Sequence, residues 1–211
     1  MPDNKSPRYG IMGGTFNPIH YGHLVTAEEA RIQFGLDKVI FVPTGVATHK
    51  EVDQTITPEE RYIMTVIATA SNPDFIVSRI EVEKKEPTYT IDTLKELSEV
   101  YNNCELCFIT GADAVWEILT WKEPESLSMY CTFIAATRPG YSLNKFEELH
   151  VLPYEDREDK RMPKVQIMEI PALAISSTDI RNRVGTGNTI RYLVPEGVLN
   201  YIYKSGFYEN D

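Results

Sequence analysis

The chain has 211 residues, a formal net charge of −10, and 42% hydrophobic and 25% charged side chains. That length suffices for one full core in a globular domain; the acidic balance argues against general nucleic-acid binding, and no apolar run reaches the ~18 residues that span a bilayer. Three cysteines, an odd number, fit a reducing compartment better than a disulfide framework.

The polar start, MPDNKSPR, has no apolar segment behind it long enough for a signal peptide, so a cytoplasmic protein without a membrane partner is expected. Residues 1–8 read as a polar tail on a single domain that runs to residue 211. No internal repeats or low-complexity tracts occur.

The first element is the stretch YGIMGGTFNPIHYGH, residues 9–23. A short apolar strand breaks into Gly13 and Gly14, where a backbone without Cβ atoms can turn sharply and let a ligand close to its N–H groups. Pro18 ends the loop, and a helix beginning near His20 would aim free N–H groups and its positive dipole end at whatever lies over the loop, most naturally an anion. His20 and His23, three apart, share one face of that first turn, with Gly22 leaving room between them. Two imidazoles there suit a phosphate; they could also begin a zinc site, but His49, His150 and the scattered cysteines complete no obvious ligand set.

A helix over 21–34 stops at Gly35, and KVIFVP, residues 38–43, is a continuous apolar strand. Strand, helix and strand of this length predict a parallel pair with a right-handed crossover. The polar loop 44–57 follows the second strand at the edge where open α/β sheets place ligands. Its Lys50 is either a solvated lysine or a phosphate contact. Thr57-Pro58-Glu59-Glu60 is a capping box that opens a helix over 58–70, whose Arg61 is either a surface charge or faces the site.

A strand is expected over 75–82 and a helix over 90–101, with Thr90 as its N-cap residue. The C-x-x-C pair Cys104 and Cys107 reads as core thiols at the entry to a buried strand over 106–110, ahead of a redox pair or half a zinc site. That strand ends in Gly111-Ala112-Asp113, where the Asp either caps a helix or accepts from hydroxyls. Trp121 either packs in the core or stacks on a ligand. A strand over 131–137 precedes Arg138, and the charged segment 141–163 carries no readable function. A strand over 165–170 leads to Ile175-Ser176-Ser177-Thr178, whose hydroxyls either cap a helix or donate to phosphate, with Arg181 adding a fork of donors. Gly185-Thr186-Gly187 reads as a helix stop, and a closing helix is expected over 195–203 ahead of Gly206.

Gly13 to His23 resembles the GGTFDPxHxGH signature of the nucleotidyltransferase superfamily and, within it, of the bacterial nicotinate-nucleotide adenylyltransferase family, with Asn17 where Asp is usual. Asn keeps the side-chain acceptor and loses the charge, which weakens any role in holding a metal. His49-Lys50 resembles the family's P-x-x-H-K, residues 87–93 its P-S-Y-T-x-D-T, residues 111–113 its G-A-D, residues 138–140 its R-P-G, and residues 175–181 the second signature, I-S-S-T-x-I-R. The likeness covers about residues 9–208. It implies a doubly wound, Rossmann-like α/β domain of nucleotidyltransferase type with a mainly parallel sheet. The implied reaction is adenylyl transfer from ATP to the 5′-phosphate of nicotinate mononucleotide in NAD biosynthesis.

By that resemblance, Gly13, Gly14, Thr15, Phe16, His20, His23, Gly111, Asp113, Ile175, Ser176, Ser177, Thr178 and Arg181 bind ATP. Asn17, Lys50, Thr90, Trp121 and Arg138 bind the mononucleotide, and His20, His23, Lys50 and Arg181 carry catalysis. Mg²⁺ would travel mainly on the ATP phosphates, with no protein metal site. A sister enzyme with another phosphorylated acceptor, such as phosphopantetheine, and a non-catalytic nucleotide-binding module are the alternatives. The oligomeric state is left open.

Overall fold

The computed structural model describes residues 6–46, 56–115, 117–137, 165–171 and 173–209. Six strands form one sheet in the order β3-β2-β1-β4-β5-β6: β1 Arg8–Gly14, β2 Lys38–Pro43, β3 Phe75–Val77, β4 Glu105–Gly111, β5 Thr132–Thr137 and β6 Val165–Glu169. The pairings of β1 with β4, β4 with β5 and β5 with β6 are parallel, in registers that set Tyr9 against Leu106, Phe108 against Phe133 and Ala135 against Ile167. Strand order reverses at β1, so the doubly wound α/β expectation holds, and β1 runs straight into Gly13 and Gly14. No helix among the described residues is long and apolar enough to cross a membrane.

The helices are α1 Tyr21–Gln33, α2 Pro58–Thr69, α3 Thr90–Val100, the short α4 Ala112–Val115, α5 Ser177–Gly185 and α6 Glu196–Ser205. The chain divides into two compact units, one of residues 1–12, 27–39 and 89–172, the other of residues 13–26, 40–88 and 173–211. In the first, α3 buries Ile91, Leu94 and Leu97, the i, i+3, i+6 stripe of its sequence, and β4 and β5 bury Ile109, Phe133 and Ile134. In the second, β2 is buried along Ile40, Phe41 and Val42, as a parallel strand covered on both faces must be. There α2 turns Arg61, Met64, Thr65, Ala68 and Thr69 inward and packs against α6.

The capping box is complete: the Thr57 hydroxyl accepts from Glu60 N at 3.2 Å, and the Glu60 carboxylate accepts from Thr57 N at 2.6 Å. Gly35 and Gly206 end their helices with positive φ, and α5 stops at Gly185 with Gly187 in the left-handed region.

Four local expectations are corrected. The third strand covers only Phe75–Val77, because after Ser78 the backbone bonds locally: the Ser78 hydroxyl takes the Ile80 N–H, and Glu83 N donates to Arg79 O. Thr90 is the first helical residue of α3, and Tyr89 stands at the cap without a side-chain bond. Pro195 is outside the closing helix as its N-cap, its carbonyl accepting from Leu199 N. Cys107 is a buried strand thiol, but Cys104 sits half-buried in the turn before β4, and none of the three cysteines is in a disulfide.

Candidate active site

In the second unit the loop after β1 is tied down carbonyl by carbonyl. Gly14 O accepts from Thr44 N at 2.9 Å and Thr15 O from Arg61 Nη1 at 2.6 Å. Asn17 O accepts from Arg181 Nη1, and Pro18 O from the Ser177 hydroxyl, both at 2.8 Å. Asn17, 4% exposed, also accepts the Tyr208 phenol on its side-chain oxygen at 2.6 Å. Phe16 is held at φ +50°, unusual for a bulky residue, with its ring buried against Phe41 and edge-on to His23 at 5.1 Å.

The two histidines do meet. Their rings stack with centroids 3.8 Å apart and planes 26° off parallel. His20 is the residue before α1: its carbonyl accepts from His23 N, and its own N–H donates to His23 Nδ1 at 3.2 Å. This is the return half of a capping box, with an imidazole in the place usually taken by glutamate. Because Nδ1 of His23 accepts, the neutral ring carries its proton on Nε2 and presents a donor there. A Cβ on Gly22 would lie 2.9 Å from His20 Nδ1, so the residue between the histidines has to be glycine for the stack to form.

His20 is 6% exposed, and its Nδ1 is buried without a hydrogen-bond partner. Burial pulls its pKa down to about 4 and that of His23 to about 3, the latter helped by repulsion from His20. Both rings are therefore neutral donors near pH 7. Neither they nor any neighbours form a group of three His, Cys, Asp or Glu able to hold a metal among the described residues.

The hydroxyl cluster divides its labour. Ser176 is the N-cap of α5, accepting from Asp179 N at 3.1 Å; Ser177 reaches the loop; Thr178 accepts from Arg181 Nη2 at 3.3 Å. Ile175 lies alongside, its carbonyl 3.7 Å from where a Gly22 Cβ would be. The start of α5 is thus bonded to the Asn17-Pro18 pair that leads into α1. Two helix N-termini, each with free N–H groups, are anchored to one short stretch of backbone, an arrangement that favours anions.

In the first unit, Gly111 is exposed at the end of β4, where a Cβ would meet nothing within 4 Å, and Asp113 follows in α4. Trp121 comes after a 3₁₀ turn, Ile118–Thr120, half-buried with its ring 6.0 Å from Phe108 and 6.4 Å from Phe133. The ring therefore has both a packed edge and an open part. Lys122 sits 4.8 Å over the Tyr89 ring and 3.1 Å from the Asp92 carboxylate, which fastens the tryptophan segment to the first turn of α3, where Thr90 stands.

Lys50 and Arg138, with the segment 141–163, lie outside the described residues. Sequence reasoning did not place Arg61 or Tyr208. Arg61 is neither a surface charge nor a group open to the site: it is 1% exposed, beneath the loop. It shares the stripe of Met64, Thr65 and Ala68, so its burial had a helical-period signal. Tyr208 had none.

A family model described as cytidylyltransferase-like matches residues 11–183. A protein of Moorella thermoacetica named "Probable nicotinate-nucleotide adenylyltransferase" is 54% identical over 203 residues, covering 95% of this chain and 91% of its own. One of Desulfitobacterium hafniense with the same name is 51% identical over 209 residues, covering 99% of each. Among solved structures, the Plasmodium falciparum nicotinic acid mononucleotide adenylyltransferase complexed with NaAD aligns with a TM-score of 0.76 at 23% identity, over 96% of this chain and 97% of that one. That likeness is one of fold.

Proposed function

The chain belongs to the cytidylyltransferase-like family, and from that premise we propose that it transfers the adenylyl group of ATP to the 5′-phosphate of nicotinate mononucleotide. The products are nicotinate adenine dinucleotide and pyrophosphate, a step of NAD biosynthesis. The observation that carries the reading is the stacked, neutral His20–His23 pair at the start of α1, on the same loop that Ser177 and Arg181 hold from α5.

The chemistry needs little else. The mononucleotide phosphate is ionised and already a nucleophile, so it attacks the α-phosphorus in line, its P–O bond forming as the bond to pyrophosphate breaks. Catalysis is then positioning and stabilisation of charge on phosphate oxygens. His23 offers Nε2–H, His20 a second imidazole, Arg181 the guanidinium donors its loop bonds leave over, and the loop after Gly13 and Gly14 its backbone N–H groups. Lys50 and Arg138 are assigned to the mononucleotide by family likeness. Gly111 and Asp113 are assigned to ATP, and Thr90 and Trp121 to the nicotinate group, on the same ground.

A magnesium ion carried on the ATP phosphates would supply charge neutralisation there when bound. The residues present fit a metal carried by the nucleotide, since Asn17 is uncharged with its Oδ1 taken by Tyr208, and the imidazoles are not oxygen ligands. Three cysteines outside any disulfide support a reducing, cytoplasmic setting.

The test is pyrophosphate release from MgATP with nicotinate mononucleotide, nicotinamide mononucleotide, phosphopantetheine or no acceptor. Release fastest with the first is expected, and His23→Ala should slow it on the order of a hundredfold. Release best with another acceptor would overturn the acceptor assignment. Nucleotide binding without release in every arm would overturn the enzyme itself.

A further inference from the structure

A fully buried arginine under a phosphate-type loop is costly unless its donors are matched, because desolvating a guanidinium penalises the charge. Here burial pulls the Arg61 pKa down, and the nearby Tyr208 and Glu81 counter it. Nε is buried without a hydrogen-bond partner, so the two terminal nitrogens carry the matching, and their acceptors are specific. Nη1 takes Thr15 O at 2.6 Å, on the loop after β1, and Nη2 takes Gly45 O at 3.1 Å, on the loop after β2. One planar fork therefore spans two loops that are far apart in sequence and adjacent at the strand ends.

Both acceptors are at points where the backbone has no freedom to drift. Thr15 O belongs to the peptide that enters Phe16, whose φ of +50° is a conformation retained only where the surroundings over-determine it. Gly45 is packed so closely that a Cβ there would stand 2.0 Å from Glu81 O. In a trans peptide the C=O and the following N–H point in opposite directions. A carbonyl drawn down to Arg61 therefore turns the N–H of Phe16 away from the guanidinium, while Val46, beyond the second acceptor, is held in a parallel bridge with Pro87.

We infer that Arg61 is a positioning residue for adenylyl transfer. With Gly45 O as its second anchor, it orients the Thr15-Phe16 peptide so that the Phe16 N–H faces the side of the loop opposite the core, where phosphate oxygens are bound. The inference rests on the adenylyl-transfer reading and deepens it: Arg61 touches no substrate and acts through the Thr15-Phe16 peptide. Lysine cannot replace it, because a single ammonium on a flexible stem lacks the fork that reaches two carbonyls at once.

The experiment uses the full chain with Arg61→Ala and Arg61→Lys, checked for folding by thermal unfolding, and measures kcat and KM for each substrate. Misplacing the loop by about an ångström should lower kcat roughly a hundredfold in both variants, with the KM for the mononucleotide little changed. Guanidinium at tens of millimolar should restore Arg61→Ala by at least about tenfold, because it refills the fork, while urea at the same concentration should not. A folded Arg61→Ala with wild-type kcat, or equal rescue by urea, would overturn the inference. If Arg61→Ala does not fold, Arg61→Lys decides: wild-type kcat refutes the role, and lost kcat with unchanged thermal stability supports it. Wild-type protein silent in the same assay would refute the adenylyl-transfer reading itself. Hydrogen exchange at Phe16 would then judge the positioning, faster exchange in Arg61→Lys supporting it and unchanged exchange refuting it.

Discussion

Acidification from pH 8 to pH 5 should destabilise this protein through the stacked histidines before its carboxylates matter. Both rings are held neutral, His20 with a pKa of about 4 and His23 of about 3, because they are desolvated and crowd one another. The unfolded chain binds protons on both near pH 6.5, so between that value and pH 4 it holds more protons than the folded state. Stability therefore rises with pH in this window: the contribution is fully present above 6.5 and is lost as the pH falls. Each depression of this size costs about 2 kcal/mol at pH 5, about 4 kcal/mol for the pair, a large share of a typical domain's stability. The assay is urea unfolding at pH 8 and pH 5 on the wild type and on a His20→Gln, His23→Gln double variant, which removes this titration and leaves every other group in place. The double variant should lose about 4 kcal/mol less on acidification. Parallel losses in the two proteins would refute the claim that the rings are buried and neutral.

Gly45→Ala should be among the most damaging single-methyl changes, costing about 3 kcal/mol or more in urea unfolding, since the new Cβ would meet the Glu81 carbonyl at 2.0 Å and backbone cannot swing aside as a side chain would; a change below ~0.5 kcal/mol would show that the two loops are not packed in this way. Tyr208→Phe removes only the phenol that donates to Asn17 and should cost about 1 kcal/mol. A folded Tyr208→Phe protein as stable as the wild type in urea unfolding would show that the phenol is not the donor. Lys122→Met should change stability by less than about 1 kcal/mol, because the Lys122 and Asp92 side chains remain 42% and 34% exposed and screened by solvent; a loss of several kcal/mol in thermal or urea unfolding would mean that the pair is not screened.

What was legible in the sequence was whatever short-range physics writes into neighbouring residues. Thr57 to Glu60 closes on itself as a capping box, KVIFVP can only be a strand buried on both faces, and Ile91, Leu94 and Leu97 share a stripe at any helix position. The meeting of His20 and His23 belongs here too, since both lie within one turn and Gly22 between them leaves the space. Misreadings arose where a local pattern had two outcomes. The apolar alternation after Phe75 suits a strand equally well whether or not a neighbouring strand continues beside it, and the Ser78 hydroxyl ended it early.

The sequence by itself determined the elements, the anion-friendly turn after β1 and the family, because each rests on contacts within a few residues or on a motif of fixed spacing. Tertiary structure alone decided what those elements do to one another. Ser177 and Arg181 act on the carbonyls of Pro18 and Asn17, 159 and 164 residues away in the chain, and Arg61 reads as either a surface charge or a site-facing one until Thr15 and Gly45 are seen on either side of it. The same holds for the histidine pKa values. Spacing puts two imidazoles together, but only the surrounding packing removes the water that would have let them protonate as the pH falls through about 6.5.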